Sequence, residues 1–536
     1  MALDFSLKIQ SGLRCEGASG SYCLITATAL NGDEIQLTMP SDEVALDVTK
    51  VTRELMKAGL GLKCDSKLIR AEVDRARKEA TVSRKNIAVT TGWHDQNFVW
   101  NGRVLGCVDE TDLICASELR EKAYHYPKKK DRRLIDFISE HGPLSDVLAL
   151  AVMAAYSPPL LGTLSHSERP LIHIWGDSKT GKTSLLAAVN ALVKTPNRRD
   201  LYPFAFTPRA LEEDLLDCND GILCLDETST VSKEEVNKTI GELIYIASNG
   251  RGKRRSKISQ LPDLQWRSIV FVTGEYSLDT LTTRKRGSGQ DARLITLPVR
   301  STKEGGIFNR GDLSAAELAD KCRILSELAE AYTGDEYQRW VKKIVATGRP
   351  TLRGRVQQSI DRYVSKLVNE NASNLTRTLA AKFAAFAVTG DGLVAADIVD
   401  WPRGFPYEVA KRAFEADLAA KNPEPGILPL QRRTIAQKIL ARLYADRLHT
   451  QQHARGVHVR TEKGQERLII PKGASATWLG EDEKQLYAAL QSHGGLLHGR
   501  NGKNCYAQLL FDGSKRQSAM NIDLPQLIAE AFPIHA

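Results

Sequence analysis

The chain has 536 residues, 42% of them hydrophobic and 26% charged, a length that predicts about three or four domains and a composition close to that of folded proteins in general. A lone small binding module and a chain dominated by low-complexity sequence are both excluded. Lysine and arginine outnumber the acids 74 to 65, a net charge of +9, which permits a polyanionic partner without demonstrating one, so the location of the excess matters more than its size.

The first forty residues carry short strand-like runs such as Tyr22-Cys23-Leu24-Ile25-Thr26, broken by turn signals at Gly17, Gly20 and Asn31-Gly32. Helical stretches follow at about 41–58 and 67–80. Then come Phe98-Val99-Trp100 and Arg103-Val104-Leu105, with Asn101-Gly102 as a hairpin turn between them. Residues 1–125 therefore read as an α+β domain, and 126–164 as a helical linker whose five bases at 128–133 suit either a solvated helix start or a nucleic-acid contact. Residues 165–300 alternate strand-like and helix-like runs, the pattern of a parallel sheet covered by helices. Residues 301–421 turn helical and Ala-rich, with helices expected at 313–332, 355–369, 375–388 and 407–420. Beyond the linker Asn422-Pro423-Glu424-Pro425-Gly426, the chain suggests a helix at about 431–446, two or three short strands, a second helix at about 482–493 and a final mixed segment, so that 422–536 reads as a winged-helix-like arrangement.

The chemistry concentrates in the alternating region. Gly176-Asp177-Ser178-Lys179-Thr180-Gly181-Lys182-Thr183 matches G-x-x-x-x-G-K-[ST], with an apolar run before it and a helical run from Ser184 after it. Such a loop points backbone N–H groups at phosphates, and the helix that follows adds partial positive charge. Residues 176–184 are thus the expected ATP-binding segment, with Lys182 on the β and γ phosphates and the Thr183 hydroxyl on Mg²⁺.

Gly221-Ile222-Leu223-Cys224-Leu225-Asp226-Glu227 is an apolar run ending in two carboxylates, the form of a buried parallel strand whose end reaches a nucleotide site. Asp226 is expected to hold the magnesium and Glu227 to activate the attacking water. A common strand end would look the same alone; its place after the loop, with a helix opened by Thr207-Pro208 between, favours the functional reading. Ser232-Lys233-Glu234-Glu235 reads as a capping box. Ser268 to Glu275 is a further apolar strand, and Thr273 sits where a side chain would bond the γ-phosphate or the attacking water, or else where a satisfied threonine ends a strand.

Between these strands, Arg251, Lys253, Arg254, Arg255 and Lys257 make five bases in seven residues, with no acid among them. Turn signals on both sides predict a projecting hairpin that suits a DNA backbone, against the alternative of a solvated loop. Arg293, at the start of a later strand, is the candidate to stabilise transition-state charge in a neighbour's site, with Arg267, Arg284 and Arg286 as competitors.

These segments together, with Trp266-Arg267 leading to Thr273-Gly274-Glu275, Gly289-Gln290 before Arg293, and Thr91-Gly92-Trp93-His94 and Asn101 to Gly106 upstream, resemble the DUF927 family, described as AAA+ helicases of bacterial mobile elements. The resemblance spans about 85–300 and leaves 1–80 and 430–536 uncovered. It implies an α/β fold with a five-stranded P-loop AAA+ sheet and a helical lid, hexameric rings, and a hairpin facing a DNA-filled pore that carries Arg251, Lys253, Arg254, Arg255 and Lys257. In the lid no sensor arginine stands out; Arg353, Arg355 and Arg362 are all candidates. The expected activity is ATP-driven DNA unwinding, and the alternative is a nucleotide-switched AAA+ scaffold or defence ATPase that unwinds nothing.

Other features point away from competing chemistries. The nine cysteines are scattered, odd in number and without a CxxC pair, so reduced thiols are expected rather than disulfides or a zinc ribbon. His449, His453 and His458 read as surface residues, and Trp93 and Trp100 as packed rather than base-stacking. With no basic-then-apolar opening segment and no run near eighteen apolar residues, a cytoplasmic protein without a membrane span is expected.

Overall fold

The computed structural model describes residues 5–15, 21–29, 34–60, 65–106, 112–164, 169–199, 201–228, 233–252, 265–277, 292–311, 313–370, 372–421, 439, 443, 457–462, 465–474, 478, 486, 507–511 and 515–525. It divides into two compact units, Met1–Asp417 and Leu418–Ala536.

The first unit opens with β1 (Phe5–Cys15), β2 (Ser21–Ala29) and β3 (Glu34–Pro40), an antiparallel meander. Along β1, Phe5, Leu7 and Ile9 point inward while Ser6, Lys8 and Gln10 face out, the period-two pattern of a half-buried strand. Helices α1 (Ser41–Leu46), α2 (Val48–Leu55) and α3 (Ser66–Lys78) follow, and Val51, Leu55, Ile69 and Val73 pack on the inward strand residues. The stretch expected as one helix over 41–58 is split because Asp47, at φ −129°, leaves the helical region and caps α2, accepting from the Lys50 N–H at 2.8 Å.

Next come β4 (Thr81–Val82) and β5 (Asn86–Ala88), then a small antiparallel sheet of β6 (Gly92–His94), β7 (Asn97–Trp100) and β8 (Arg103–Leu105), then β9 (Leu113–Cys115). Strands β5 and β9 extend the first sheet by parallel pairing, in the order β3-β2-β1-β5-β9. The β7–β8 turn is the expected one, with Asn101 and Gly102 at φ 52° and 65°, both left-handed as a type I′ turn requires. Trp93 and Trp100 are buried, and the Trp93 indole donates to the Pro159 carbonyl at 2.8 Å, so both are packing residues.

After α4 (Ser117–Glu121), the basic stretch leads into α5 (Arg133–His141), and acids of the chain answer three of its bases: Lys130 pairs with Asp335, Arg132 with Glu336 at 3.0 Å and Arg133 with Asp131 at 2.6 Å. Helix α6 (Asp146–Tyr156) is buried on nearly every side, and α7 (Pro158–Leu161) follows it.

The parallel sheet is built from β10 (Leu171–Trp175), α8 (Lys182–Val193), β11 (Tyr202–Pro203), α9 (Pro208–Asp217), β12 (Ile222–Asp226), α10 (Lys233–Asn249), β13 (Ile269–Gly274) and β14 (Leu294–Pro298). Every pairing is parallel, in the order β11-β12-β13-β10-β14. Helices cover the strands, so the strands are continuous apolar runs. Leu223, Leu225, Val270 and Val272 meet Leu211 and Leu215 of α9 and Leu243 and Ile244 of α10, each buried side chain contributing about 1.5–3 kcal/mol. Helix α9 opens as the Thr207-Pro208 pair predicts, the Thr207 hydroxyl accepting from the Ala210 N–H at 3.2 Å. Ser232 of the expected capping box lies outside the described residues.

Helices α11 (Ala315–Ala331), α12 (Glu336–Thr347), α13 (Arg349–Leu367), α14 (Asn374–Ala395) and α15 (Phe405–Lys421) complete the unit. A capping box of Ser314 and Glu317 starts α11. Helix α12 lies between the expected helices, and Tyr337, Trp340, Val341, Ile344 and Val345 form its buried face at helical spacing. Helix α14 is long and apolar enough to cross a membrane, but most of it, including Phe383 and Phe386, is buried within the unit. Asp417 of α15 accepts from the Thr296 N–H of β14 at 2.8 Å.

In the second unit, β15 (His458–Glu462), β16 (Gln465–Pro471), β17 (Ala507–Phe511) and β18 (Lys515–Asp523) form an antiparallel sheet in the order β15-β16-β18-β17, the first two in the stretch where strands are expected and the last two in the final mixed segment. Leu468, Ile470, Met520 and Ile522 pack with Ile439, Leu443, Trp478 and Leu486. His449, His453 and the 422–426 linker lie outside the described residues, among which no cluster of metal-ligating side chains occurs and Cys23, Cys218, Cys224 and Cys322 are free thiols.

Candidate functional site

Strand direction places the site. At the carboxyl edge of the sheet, β10 ends in Trp175 and the chain turns through residues 176–181 into α8. Two glycines make the turn possible. Gly181 is left-handed at φ 95°, and a Cβ there would stand 2.5 Å from the Cys322 sulfur of α11; a Cβ on Gly176 would stand 2.6 Å from the Val299 carbonyl oxygen. Asp177, Ser178 and Lys179 are exposed, Thr180 is buried, and Lys179 is also left-handed at φ 62°.

Lys182 is buried, its ammonium donating to the carbonyls of Gly176 at 2.8 Å and Asp177 at 2.7 Å. Burial lowers its pKa below the ordinary lysine value, and the charges of Glu227, Glu275, Asp177 and Asp226 oppose that shift. Those four carboxylates therefore lie within electrostatic reach of one ammonium. Ser184, at the end of the expected segment, accepts from the Ser326 hydroxyl of α11 at 2.9 Å.

The acidic pair and Thr273 meet across the sheet. Leu225 stands opposite Val272, so the next residues along the two parallel strands, Asp226 and Thr273, are neighbours. The Thr273 hydroxyl donates to Asp226 Oδ1 and accepts from the Glu227 N–H at 3.0 Å. Its one proton is thereby committed to Asp226, leaving it a lone pair for water but no donor for a phosphate. Glu227 is left-handed at φ 62°, a conformation that costs a non-glycine residue about 1–2 kcal/mol and that the Thr273 bond helps hold. On the other side, the Thr183 hydroxyl lies 3.4 Å from Asp226 Oδ1.

Oxygens of Thr183 and Asp226 at this separation fit a hard octahedral cation, whose neighbouring ligands at 2.0–2.1 Å lie about 3 Å apart. Three residues without a role in the sequence reading complete the site. They are Glu275 near Lys182, Cys322 against Gly181, and buried Thr228, whose hydroxyl would meet a Cβ on Gly274 at 2.3 Å. Glu275 and Thr228 lie next to the strand-end motifs in sequence, Glu275 after Thr273-Gly274 and Thr228 after Glu227, whereas Cys322 arrives only through tertiary packing.

The remaining candidates lie elsewhere. Arg293 precedes β14, and its carbonyl accepts from the Leu171 N–H at 2.9 Å, so it sits at the amino edge, one strand length of about 13 Å from the loop. The structure does not bring it to its own chain's site. Its competitor Arg267 is engaged at 2.6 Å by Asp220, while Arg284 and Arg286 lie outside the described residues. Arg251 forms an antiparallel bridge with Gln265, and the Trp266 N–H donates to the Gly250 carbonyl at 3.0 Å, which closes the base of the expected hairpin. Lys253, Arg254, Arg255 and Lys257 lie outside the described residues. Arg353, Arg355 and Arg362 are exposed on α13, whose Arg349 reaches the Gly162 carbonyl and whose Gln357 and Ile360 border the amino edge; the structure does not bring them to the loop.

The model of the DUF927 family, a domain of unknown function, matches residues 1–260. The match begins at the N-terminus, whereas the motifs that carry the resemblance span about 85–300 and leave 1–80 uncovered; the first sheet thus falls inside the matched segment. A solved structure named "SCCmec type IV Cch - active helicase" has the same fold, with a TM-score of 0.57 and 15% identity over 98% of this chain and 95% of that one. No curated protein matches the chain.

Proposed function

We propose that the chain is a P-loop ATPase of the AAA+ class that couples ATP hydrolysis to movement on DNA as a ring, most plainly as a helicase of a mobile element. The observation that carries the nucleotide part is the convergence of Thr183, Asp226, Thr273 and Glu227 beside Lys182 at the carboxyl edge of a parallel sheet, where open α/β sheets bind ligands. The 5-strand order, with the loop strand β10 between β13 and β14, supports the AAA+ assignment. The motor part is supported by the basic segment at 251–257 and by the fold shared with a protein named an active helicase.

The residues divide the work by chemistry. The loop's N–H groups and the amino end of α8 receive the phosphates of ATP. Lys182 leaves the loop carbonyls to neutralise the β and γ phosphates. Thr183 and Asp226 hold Mg²⁺, which when bound offsets the charge on the transferring phosphoryl group. Glu227 orients and polarises the attacking water, and Thr273 holds Asp226 and the Glu227 backbone in register while its free lone pair accepts from that water. Arg293, absent from its own site, acts on the neighbour's nucleotide in a hexamer.

Strand displacement on a forked DNA duplex tests the proposal. ATP-dependent displacement that stops on chelating Mg²⁺ is the expected result. ATP hydrolysis with no displacement on any fork polarity would replace the motor with a nucleotide-switched scaffold or defence ATPase.

A further inference from the structure

Strand β14 leaves the sheet on the flank of the phosphate loop opposite β13 and β12. Its last residue, Pro298, stands beside Trp175. The Val299 N–H donates to the Trp175 carbonyl at 2.7 Å, and the Val299 carbonyl oxygen is the atom that a Cβ on Gly176 would meet. With residues 300–306 between, the chain is back at the other end of the loop. There the Ile307 N–H donates to the Thr180 carbonyl at 3.0 Å, and a Cβ on Gly306 would stand 2.6 Å from that same oxygen. Residues 300–306 are therefore an arch tied to the phosphate loop at both ends.

The arch is also fixed from behind. The Ser145 hydroxyl donates to the Ile307 carbonyl at 2.5 Å, the Asp146 N–H to Asn309 Oδ1 at 2.9 Å and the Arg310 N–H to the Leu144 carbonyl at 2.9 Å. Within the arch, Ser301 and Glu304 close on each other, the Ser301 hydroxyl donating to Glu304 Oε2 at 2.7 Å and the Glu304 N–H to the Ser301 carbonyl at 3.0 Å. Hydrogen bonds from Ser301 hold the Glu304 carboxyl below the usual carboxylate range, and the Arg300 charge adds a smaller effect in the same direction.

Arg300 itself is exposed and has no hydrogen bond or ion pair to another described residue beyond that influence on Glu304. It follows Val299 by one residue, and neighbouring strands lie about 4.8 Å apart. Arg300 thus leaves the sheet at the level of Asp177, where the exposed part of the loop, Asp177 to Lys179, begins. Two carboxylates share this flank, Asp177 of the loop and Glu304 of the arch, so the geometry offers a direct contact rather than a net positive field.

We propose that Arg300 binds the phosphate chain of the nucleotide from the β14 flank of the loop, as a contact made within one subunit and already present before the chemical step. This rests on the nucleotide part of the reading above and adds a residue to the same site. A guanidinium grips phosphate oxygens through paired N–H donors. Because the arch is pinned at both ends, its backbone is already in place and binding needs to order only the side chain.

The test uses the full chain, Mg²⁺ and a fluorescent ATP analogue. Arg300→Gln should raise Kd for ATP and ADP roughly tenfold, and in basal hydrolysis the loss should appear in KM rather than in kcat, as for a contact made equally in the ground and transition states. Arg300→Lys should recover part of the affinity, since it restores the charge without the planar fork. A thermal melt reports folding, which an exposed side chain should leave as it is. Lys303→Gln removes the same charge from the same arch, away from the loop register; equal losses from Lys303→Gln and Arg300→Gln would mean that the arch acts by its field alone and would overturn the contact. Tripolyphosphate, which has no nucleoside, should lose affinity for Arg300→Gln by the same factor as ATP, and a loss confined to ATP would move the contact to the ribose or base and overturn the phosphate assignment. A fall in kcat with Kd unchanged would make Arg300 a transition-state residue and overturn it too. If wild type binds the analogue, Lys182→Ala loses it and Arg300→Gln binds as wild type does, this inference fails while the nucleotide reading stands. A wild-type chain that binds no nucleotide sinks both.

Discussion

The two edges of the parallel sheet differ in kind. At the carboxyl edge, one ammonium, two threonine hydroxyls and several carboxylates meet within hydrogen-bond or short electrostatic range, beside the amino end of α8. At the amino edge, cations from four segments surround a wide cavity beside the carboxyl end of α10. Strand direction explains the contrast. A helix that follows a parallel strand starts at the carboxyl edge, so backbone N–H groups and the helix dipole receive phosphates there with little help from side chains. At the other edge the helix ends repel anions, and only lysine and arginine side chains can reverse the sign.

The contrast predicts that changes at the carboxyl edge act on chemistry and changes at the amino edge on coupling. The largest effect is expected for Lys182→Ala, which removes the charge on the β and γ phosphates: phosphate release should fall on the order of 10³-fold. Turnover within tenfold of wild type would detach the loop from catalysis. Glu227→Gln should keep ATP bound, seen with a fluorescent analogue, while slowing hydrolysis by about 10²-fold or more; full turnover would take the water-activating role from that glutamate.

Arg293→Ala sharpens the comparison from the other side. Its subunits should bind ATP normally, yet hydrolysis should fall about 10²-fold in uniform assemblies, because a finger stabilises the transition state and not the ground state. Mixing mutant with wild-type subunits should lose more activity than the mutant fraction alone accounts for, and a strictly proportional loss would argue against action on a neighbour. The smallest effect belongs to Thr273. Thr273→Ser keeps the hydroxyl between Asp226 and the Glu227 N–H and should retain activity, while Thr273→Val should lower kcat roughly tenfold by leaving that N–H without its acceptor. Equal activity of the two variants would reduce Thr273 to a packing residue.

Much of the carboxyl edge is legible in one dimension because its chemistry is local. The phosphate-binding role proposed for residues 176–183 needs them contiguous, and Asp226 and Glu227 follow an apolar run because the strand that ends at Asp226 is buried on both faces. The β7–β8 turn and the Thr207-Pro208 helix start are legible for the same reason: neighbouring residues decide them. Helix α12 also carries a readable spacing, in Tyr337, Trp340, Val341, Ile344 and Val345, although no composition shift sets it apart from its surroundings.

What needed the tertiary structure is everything that joins residues far apart in the chain. Parallel register brings Thr273 to Asp226, and packing of α11 on α8 sets Cys322 against Gly181. At the amino edge Arg169, Arg251, Arg267 and Lys382 share no motif and no spacing. Arg169 and Lys382 read alone as surface bases, because the wall they share with Arg251 and Arg267 arises from four chain segments meeting in space, and that meeting is decided by how buried apolar surfaces pack rather than by any sequence-local pattern.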